Sequence, residues 1–333
     1  FKVMNYKAYK EIKQIIDREA YAFIHCHSPI GGVLARLAAR EAQKRTTKII
    51  YTAHGFHFFK GAPLKNWMMY YSVEKWLSKY TDCLITINDE DYHVAQNKHF
   101  RAKKIEKING VGINKTIFKP IDTELKNQRR SLQGYEKEDF LLIYVGELSK
   151  RKNQQLAISM MGRVVQTLPQ VKLLLVGDGE LREQYAQQIK DLQLQKNVFL
   201  LGFRSDVDQL MSISDLVLST SKQEGLPVNI LEAMGTGLPI IATDCRGNRD
   251  LIHHGKNGYL VGLEDEERLA SYVDILYHSN SLRDDFGLKS LDYLEKYSIQ
   301  SVMSQMTQIY QIVNYTPDSS LINSKETVKA LIK

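Results

Sequence analysis

Residues 215–244, DLVLSTSKQEGLPVNILEAMGTGLPIIATD, predict a strand, a loop, a helix and a second strand. The apolar runs at the two ends are short and aliphatic, as is typical of buried strands. Pro227 is favoured as the first residue of a helix, and Gly235 and Gly237 stop that helix before the second strand. The stretch therefore predicts a β–α–β unit, in which a crossover helix joins two parallel strands.

The same alternation of short aliphatic runs and longer helical patterns continues through the chain. Four strand candidates precede residue 118 and six follow residue 139; they are AFIHC, KIIYTA, CLITI, KIEKING, FLLIYVG, VKLLLVG, NVFLLG, DLVLST, LPIIATD and GYLVG. This pattern indicates parallel sheets with helices on both faces. The predicted fold class is therefore α/β, with two doubly wound domains in tandem that face a cleft.

The polarity of the chain suggests where these domains begin and end. Residues 1–118 form the first domain, and residues 119–139 are polar without an apolar period, which predicts a linker. Residues 140–298 form the second domain, and residues 299–333 supply a helix that returns to the first domain and a polar tail. The chain opens at Phe1 on a helical pattern without a preceding strand, so we expect the first domain to be N-terminally incomplete.

Composition limits the class of protein. The chain has 333 residues, 43% hydrophobic and 25% charged, which is typical of a soluble globular protein of two domains. It has no apolar run of the ~20 residues that span a bilayer, and no signal peptide is visible in this sequence. Cys26, Cys83 and Cys245 are too scattered for a disulfide framework, which favours a cytoplasmic location. The net charge of +7 suits anionic ligands or an anionic membrane surface and does not imply nucleic acid.

Two glutamates lie where ligands bind in open α/β sheets, beyond the carboxyl end of a strand. Glu224 precedes the helix that starts at Pro227, and Glu232 lies about one and a half turns into it. A helix N-terminus offers free N–H groups to a phosphate, and carboxylates accept hydrogen bonds from hydroxyls. Together they predict a site for a ligand that carries phosphate and sugar hydroxyls. Alternatively, both acids simply favour the positive helix end and face water.

A basic loop follows another strand in VGELSKRKNQ, residues 145–154, which starts the loop with Gly146. Lys150, Arg151 and Lys152 come just before a helix, where cations are disfavoured unless an anion lies among them. A pyrophosphate fits this place, and a solvated charge cluster is the alternative.

Two further strand ends suggest a nucleotide site. In LLLVGDGELRE, Gly177 and Gly179 predict a tight turn beside the nucleotide, although the third glycine of the dinucleotide fingerprint is absent. In LLGFRSDVDQL, the turn at Phe203 and Arg204 places backbone groups where a base could bind.

The first domain contributes one candidate histidine and one aromatic segment. His54 follows a strand and precedes a glycine, whereas His25 and His27 share a strand face without a third ligand at metal spacing, so we expect no metal site. Residues 56–80, FHFFKGAPLKNWMMYYSVEKWLSKY, combine aromatics with lysines. They suit either an anionic membrane surface or, as the favoured interpretation, a core helix with lysines on its wet face.

These motifs together resemble the family 4 retaining glycosyltransferases, which have two Rossmann-like domains in the GT-B architecture. The likeness is strongest to bacterial enzymes of capsule, exopolysaccharide and O-antigen assembly. Its most specific element is the E-x(7)-E spacing of EGLPVNILE, residues 224–232, continued by GNRDLIHHGKNGYLV. HCHSPIGGVLARLAAR, YTAHGFHFF and VGELSKRKN are also similar to that subgroup.

The resemblance implies a role for each candidate. Glu232 would bind the donor ribose, Glu224 would face the donor sugar and its developing positive charge, and Lys152 would neutralise the leaving diphosphate. His54 would contact the transferred sugar, and Arg151 would replace the arginine that many members carry at the position of Glu147. The remaining donor-site candidates are Gly146, Gly177, Gly179, Phe203, Arg204, Gly225, Leu226 and Pro227.

The implied activity is transfer of a hexose or N-acetylhexosamine from a nucleotide sugar, UDP-linked, with retention and without a metal or cofactor. The implied acceptor is a glycan, lipid-linked, which places the enzyme in the cytoplasm or peripherally at the anionic inner face of the plasma membrane. Two rivals share the sequence features. One is a nucleotide-sugar epimerase or phosphorylase, and the other is a truncated, inactive nucleotide-sugar-binding remnant.

Overall fold

The computed structural model describes residues 3–19, 21–44 and 47–313, which fold as two compact α/β units. The first unit contains the described residues up to Gly110 together with those from Val302 onward. The second unit is Val111–Ser301. The predicted polar tail at residues 314–333 lies outside the described residues.

The first unit is built on a parallel sheet of four strands. These are β1 (Phe23–Cys26), β2 (Lys48–Ala53), β3 (Cys83–Thr86) and β4 (Lys104–Lys107), in the order β1-β2-β3-β4. Every neighbouring pair is parallel, and β2 and β3 are almost wholly buried, as expected for a sheet covered on both faces. All four strands lie within the sequences predicted for them.

The second unit contains a parallel sheet of six strands, each within its predicted sequence. They are β5 (Phe140–Val145), β6 (Val171–Val176), β7 (Val198–Gly202), β8 (Leu216–Ser219), β9 (Ile240–Thr243) and β10 (Gly258–Val261). Their order is β10-β9-β8-β5-β6-β7. Counted from β5, this is the 3-2-1-4-5-6 order of dinucleotide-binding domains, which reverses direction between β5 and β8. Ligands bind in such folds beside the loops that leave those two strands.

Helices connect the strands of both units. In the first unit they are Val3–Glu19, Pro29–Ala38, Arg40–Gln43, Leu64–Asn66, Ser72–Ser78 and Asp89–Asn97, with a π-helical turn at Trp67–Tyr71. In the second they are Thr123–Leu132, Gln154–Thr167, Arg182–Asp191, Val207–Ile213, Val228–Thr236, Asn248–Leu251, Glu266–His278 and Asn280–Leu294, with a 3₁₀ turn at Glu295–Tyr297. The last helix, Ile299–Ile312, belongs to the first unit from Val302 onward. Among the described helices, none has the length and apolarity that a membrane span requires.

The helix Thr123–Leu132 corrects the linker predicted at residues 119–139. Arg130 is buried and donates to Asp215 Oδ2 at 2.6 Å, and Lys126 Nζ donates to Asp215 Oδ1 at 2.8 Å. The helix is therefore fixed to the second unit by ion pairs, not by an apolar stripe, which is why no apolar period marks it. The second unit accordingly begins at Val111, ahead of the predicted linker.

The core of the second unit lies against the buried strands β5 and β6. Leu142 and Leu173 from these strands share one hydrophobic cluster with Met161, Leu269 and Val273. The latter three come from helices Gln154–Thr167 and Glu266–His278, which contact one another. This packing fixes the carboxyl ends of the strands from which the candidate site is built.

Candidate active site

The loops after β5 and β8 are joined by a cluster of charges at the point where the strand order reverses. Glu224 Oε1 accepts a hydrogen bond from Lys152 Nζ at 2.6 Å, and its Oε2 accepts one from Arg151 Nη1 at 3.2 Å. Lys152 and Glu224 are both buried, while Arg151 is half-exposed. The alternative of a solvated basic cluster therefore fits Lys150, which is exposed, and does not fit Lys152, which is buried.

Backbone contacts hold the two loops in register. The N–H of Lys222 donates to the carbonyl of Arg151 at 2.9 Å, and Thr220 Oγ1 donates to the carbonyl of Asn153 at 2.7 Å. Asn153 adopts the left-handed region, with φ of 54°, immediately before the helix Gln154–Thr167. The side chains of this basic loop are thus presented from a backbone fixed on both sides.

The helix Val228–Thr236 starts beside this cluster. Pro227 occupies the cap position instead of the predicted first helical position, and no side chain caps the helix. Asn229 Nδ2 donates to the carbonyl of Val145 at 2.8 Å, which ties the first turn to the end of β5. Within the described chain, the backbone amides of Val228 and Asn229 donate no hydrogen bond, so this positive helix end is open to an anion.

Glu232 lies on the same helix and differs from Glu224 in its surroundings. Its carboxylate is half-buried and makes no hydrogen bond or ion pair with any residue that the structure describes. Burial raises the pKa of Glu232 to about 7. Neither glutamate is a freely solvated surface acid, so that alternative is not supported by the geometry.

The two predicted glycines after β6 are required by close packing against the backbone of the loop after β5. Gly177 has a φ of +138°, and a Cβ there would lie 2.1 Å from the carbonyl oxygen of Gly146. A Cβ at Gly179 would lie 2.4 Å from the carbonyl oxygen of Leu148. These glycines therefore shape the loop that carries Lys152, whether or not their own backbone contacts a ligand.

Phe203 and Arg204 follow β7, which is the edge strand of the sheet and two strands away from β5. The Phe203 side chain is 83% exposed. Arg204 makes two hydrogen bonds to Asp206, at 2.7 and 2.6 Å. Among the described contacts, neither residue touches Glu224 or Glu232, so the structure does not join them to the charge cluster.

His54 belongs to the first unit, where it follows β2, and it lies in a cluster with two other histidines. Its Nε2 is 3.2 Å from Nδ1 of His27, and His25 is hydrogen-bonded to Thr52 Oγ1 at 2.8 Å and to Tyr310 Oη at 2.9 Å. Burial, followed by the charges of His27 and His54, lowers the pKa of His25 to about 3. Burial also lowers the pKa values of His27 and His54, so the three rings are neutral at pH 7.

No group of three or more histidines, cysteines, aspartates or glutamates in the described ranges could hold a metal ion. The positive groups of the second unit are instead arginine, lysine and a helix N-terminus. Such groups bind phosphate oxygens directly.

One residue of the site was missed by the sequence reasoning. Arg246 is buried and its Nε donates to the carbonyl of Glu224 at 2.9 Å, which holds the loop before the helix. Beside it, Gly247 has a φ of +81°, and a Cβ there would lie 2.6 Å from the carbonyl oxygen of Gly225. Its position in the sequence could have indicated a role in the site, because Arg246 follows β9 at the carboxyl edge of the sheet.

The chain is similar in sequence to known glycosyltransferases. The family model "Glycosyl transferases group 1" matches residues 126–290, and the model "Glycosyl transferase 4-like" matches residues 1–88. "Putative glycosyltransferase EpsD" of Bacillus subtilis is 40% identical over 310 residues, covering 93% of this chain and 81% of that protein. The "UDP-Gal:alpha-D-GlcNAc-diphosphoundecaprenol alpha-1,3-galactosyltransferase" of Escherichia coli is 30% identical over 279 residues, covering 82% and 70%.

Solved structures share the fold. The Anabaena protein Alr3699/HepE in complex with UDP matches with a TM-score of 0.80 and 22% identity. The match covers 92% of this chain and 82% of the Anabaena chain. At this identity the likeness supports the fold of the chain.

Proposed function

This chain belongs to the family 4 glycosyltransferases of GT-B fold, and from that premise we propose that it transfers a hexose or N-acetylhexosamine from a UDP-sugar to a glycan. We propose further that the anomeric configuration is retained, that no metal is needed, and that the acceptor is lipid-linked in cell-surface polysaccharide synthesis. The Escherichia coli relative, whose name specifies a diphosphoundecaprenol-linked sugar, supports the acceptor class.

The observation that carries this proposal is the charge cluster between β5 and β8. Lys152, Arg151 and the uncapped start of helix Val228–Thr236 supply positive groups at the switch point, where ligands bind in this sheet order. Two carboxylates, Glu224 and Glu232, supply acceptors for hydroxyls. A nucleoside diphosphate sugar is the ligand class that carries two phosphates between two sets of sugar hydroxyls.

Each residue then has a distinct task. Glu232 accepts hydrogen bonds from the ribose hydroxyls, for which its carboxylate has no competing partner in the described chain. Lys152 and Arg151 stabilise the negative charge that develops on the leaving UDP, and this takes the place of a divalent ion. Glu224 holds both cations toward the diphosphate and supports the positive charge that develops at the anomeric carbon.

Four further residues complete the proposal. His54, neutral at pH 7 because burial lowers its pKa, hydrogen-bonds to the transferred sugar. Gly225, Leu226 and Pro227 place backbone groups beside the phosphate and the sugar. A lipid-linked acceptor implies that the enzyme works in the cytoplasm, at the inner face of the plasma membrane.

The test is a thermal-shift screen of nucleotide sugars, followed by transfer assays with the Glu224→Gln variant. A bound donor raises the melting temperature because it stabilises only the folded state. We expect Glu224→Gln to lower turnover by about 100-fold, since it removes charge stabilisation at the reacting centre, while donor affinity changes by about threefold or less. Assays are run below the melting temperature of the variant.

Glu264→Gln serves as the matched control because Glu264 is exposed and outside this cluster. Turnover of Glu224→Gln equal to that of the wild type would refute the role of Glu224. Epimerised or phosphorolysed donor in the absence of acceptor would instead establish the epimerase or phosphorylase. Donor binding without transfer to any acceptor would establish an inactive remnant.

A further inference from the structure

The segment that follows β2 turns apolar side chains outward. Leu64 is 81% exposed and Met68 is 76% exposed, and Met69, Val73 and Trp76 are exposed as well. These five residues, here called the outward face, lie on one side of the helical run from Leu64 to Ser78. Side chains of this size are seldom exposed together on one helical face without a partner.

The opposite side of the same run is already packed. Leu77 is fully buried, and Trp67 and Tyr71 contact the core of the first unit through Phe58. The core-helix interpretation of this sequence is thus right for that side only. The outward face is not a part of the core that was left uncovered, since the helix has a separate buried side.

Lysines outnumber acids in the segment that carries the outward face. Residues 59–80 contain four lysines, at positions 60, 65, 75 and 79, and one acid, Glu74. Glu74 is buried and accepts a hydrogen bond from Arg36 Nη2 at 2.9 Å, so its charge is neutralised inside the unit. The exposed surface of the segment therefore combines large apolar side chains with positive charge.

From this combination we propose that the outward face docks the enzyme on an anionic lipid bilayer. Leu64, Met68 and Met69 enter the boundary between headgroups and acyl chains, and Trp76 lies at the headgroup level. Lys65 and Lys79 lie near the two ends of the run, where they meet lipid phosphates. The inference rests on the proposed lipid-linked acceptor. Docking would hold the first unit at the membrane, where such an acceptor lies.

The experiment measures co-sedimentation of the full chain with phosphatidylglycerol-containing vesicles and with neutral phosphatidylcholine vesicles. We expect binding to the anionic vesicles only, weakened by salt. Leu64→Ser/Met68→Ser should weaken partitioning by about tenfold or more through lost apolar burial. Lys65→Glu/Lys79→Glu should weaken it by a similar factor.

The matched controls lie in the second unit. Leu132 is 80% exposed, so Leu132→Ser removes an equally exposed leucine, and Lys196→Glu reverses an exposed lysine. Both controls should bind vesicles within about twofold of the wild type. The chain has two tryptophans, so Trp67→Phe leaves Trp76 as the fluorescent reporter, whose emission should shift to shorter wavelength on vesicle addition.

Three results would overturn the proposal. They are equal binding to neutral vesicles, unchanged binding by both double variants, and a concentration-dependent dimer that Leu64→Ser/Met68→Ser abolishes without any vesicle binding. Turnover with a water-soluble acceptor is measured on the same samples. Loss of vesicle binding with normal turnover refutes docking alone, whereas vesicle binding without turnover refutes the transferase proposal alone.

Discussion

Glu224 and Glu232 show two ways in which a protein holds a carboxylate away from water. Glu224 is buried between Lys152 and Arg151, so its negative charge is balanced by hydrogen-bonded cations. Glu232 has no such partner among the described residues, so its burial disfavours the charged form and raises its pKa to about 7. A buried carboxylate without a partner lowers the stability of the free protein and is available to a ligand. This trade of stability for function is common at functional sites.

We predict that Glu232→Gln stabilises the unliganded protein at pH 8 and not at pH 4. The folded-state pKa of about 7 is above the ordinary value of 4.5, so between these pH values the folded state binds more protons than the unfolded state. The free energy of unfolding therefore falls as pH rises through this window, by about 1–3 kcal/mol, and Gln removes that loss. Urea denaturation of the wild type and the variant at pH 4, 6 and 8 measures these free energies of unfolding.

The same variant should bind UDP about fivefold to tenfold more weakly, because an amide is a poorer acceptor than a carboxylate for ribose hydroxyls. Glu264→Gln, at an exposed position, should change neither the pH dependence nor UDP affinity. A Glu232→Gln variant with the wild-type slope of stability against pH would show that the carboxylate is not desolvated.

At the scale of elements, the sequence predicts strands well because each one is a short aliphatic run between polar turns. All ten strands lie where the runs place them, and β2 coincides with KIIYTA. The helix Thr123–Leu132 was not predicted because its stability comes from Arg130 and Lys126 contacting Asp215, some 85 residues later in the chain. Ion pairs between residues far apart in the chain produce no repeating pattern in the local sequence.

Glycines of the second unit allow a matched test of element packing. Gly177→Ala should destabilise the protein by about 2–4 kcal/mol, because its Cβ would overlap the carbonyl oxygen of Gly146 and φ is +138°. Gly162→Ala should stabilise it by about 0.5–1 kcal/mol, since Gly162 lies inside helix Gln154–Thr167 with no atom within 4 Å of the added Cβ. Guanidinium denaturation of both variants measures the difference.

Equal stability changes in the two glycine variants would contradict the packing described for the loops after β5 and β6. If Gly177→Ala folds with normal stability, the backbone between β6 and Gly179 must adopt another conformation. Loss of UDP binding in Gly177→Ala is also expected, because the added Cβ would displace Gly146, at the start of the loop that carries Lys152.

At the scale of the whole molecule, each unit has its own sheet and its own buried cluster. The sequence predicts a donor site in the second unit because ligands bind beyond the carboxyl ends of parallel strands, which is a rule of topology. It could not show that Lys152 and Glu224 form a buried pair, since residues 72 positions apart meet only in the folded sheet. Nor could it show which side of the run from Leu64 to Ser78 is exposed.

The separate cores lead to a prediction about how ligand binding is transmitted. UDP contacts only second-unit residues in the proposed site, so at a free concentration of 100 times its Kd it should stabilise that unit by about 2.7 kcal/mol. Hydrogen exchange of the buried amides in β5 and β6 should then slow by about 100-fold, while exchange in β2 and β3 stays unchanged. Mass spectrometry of peptides from the four strands measures both. Equal protection of both sheets would mean that the two units unfold together, and protection of β2 and β3 alone would place the nucleotide in the first unit.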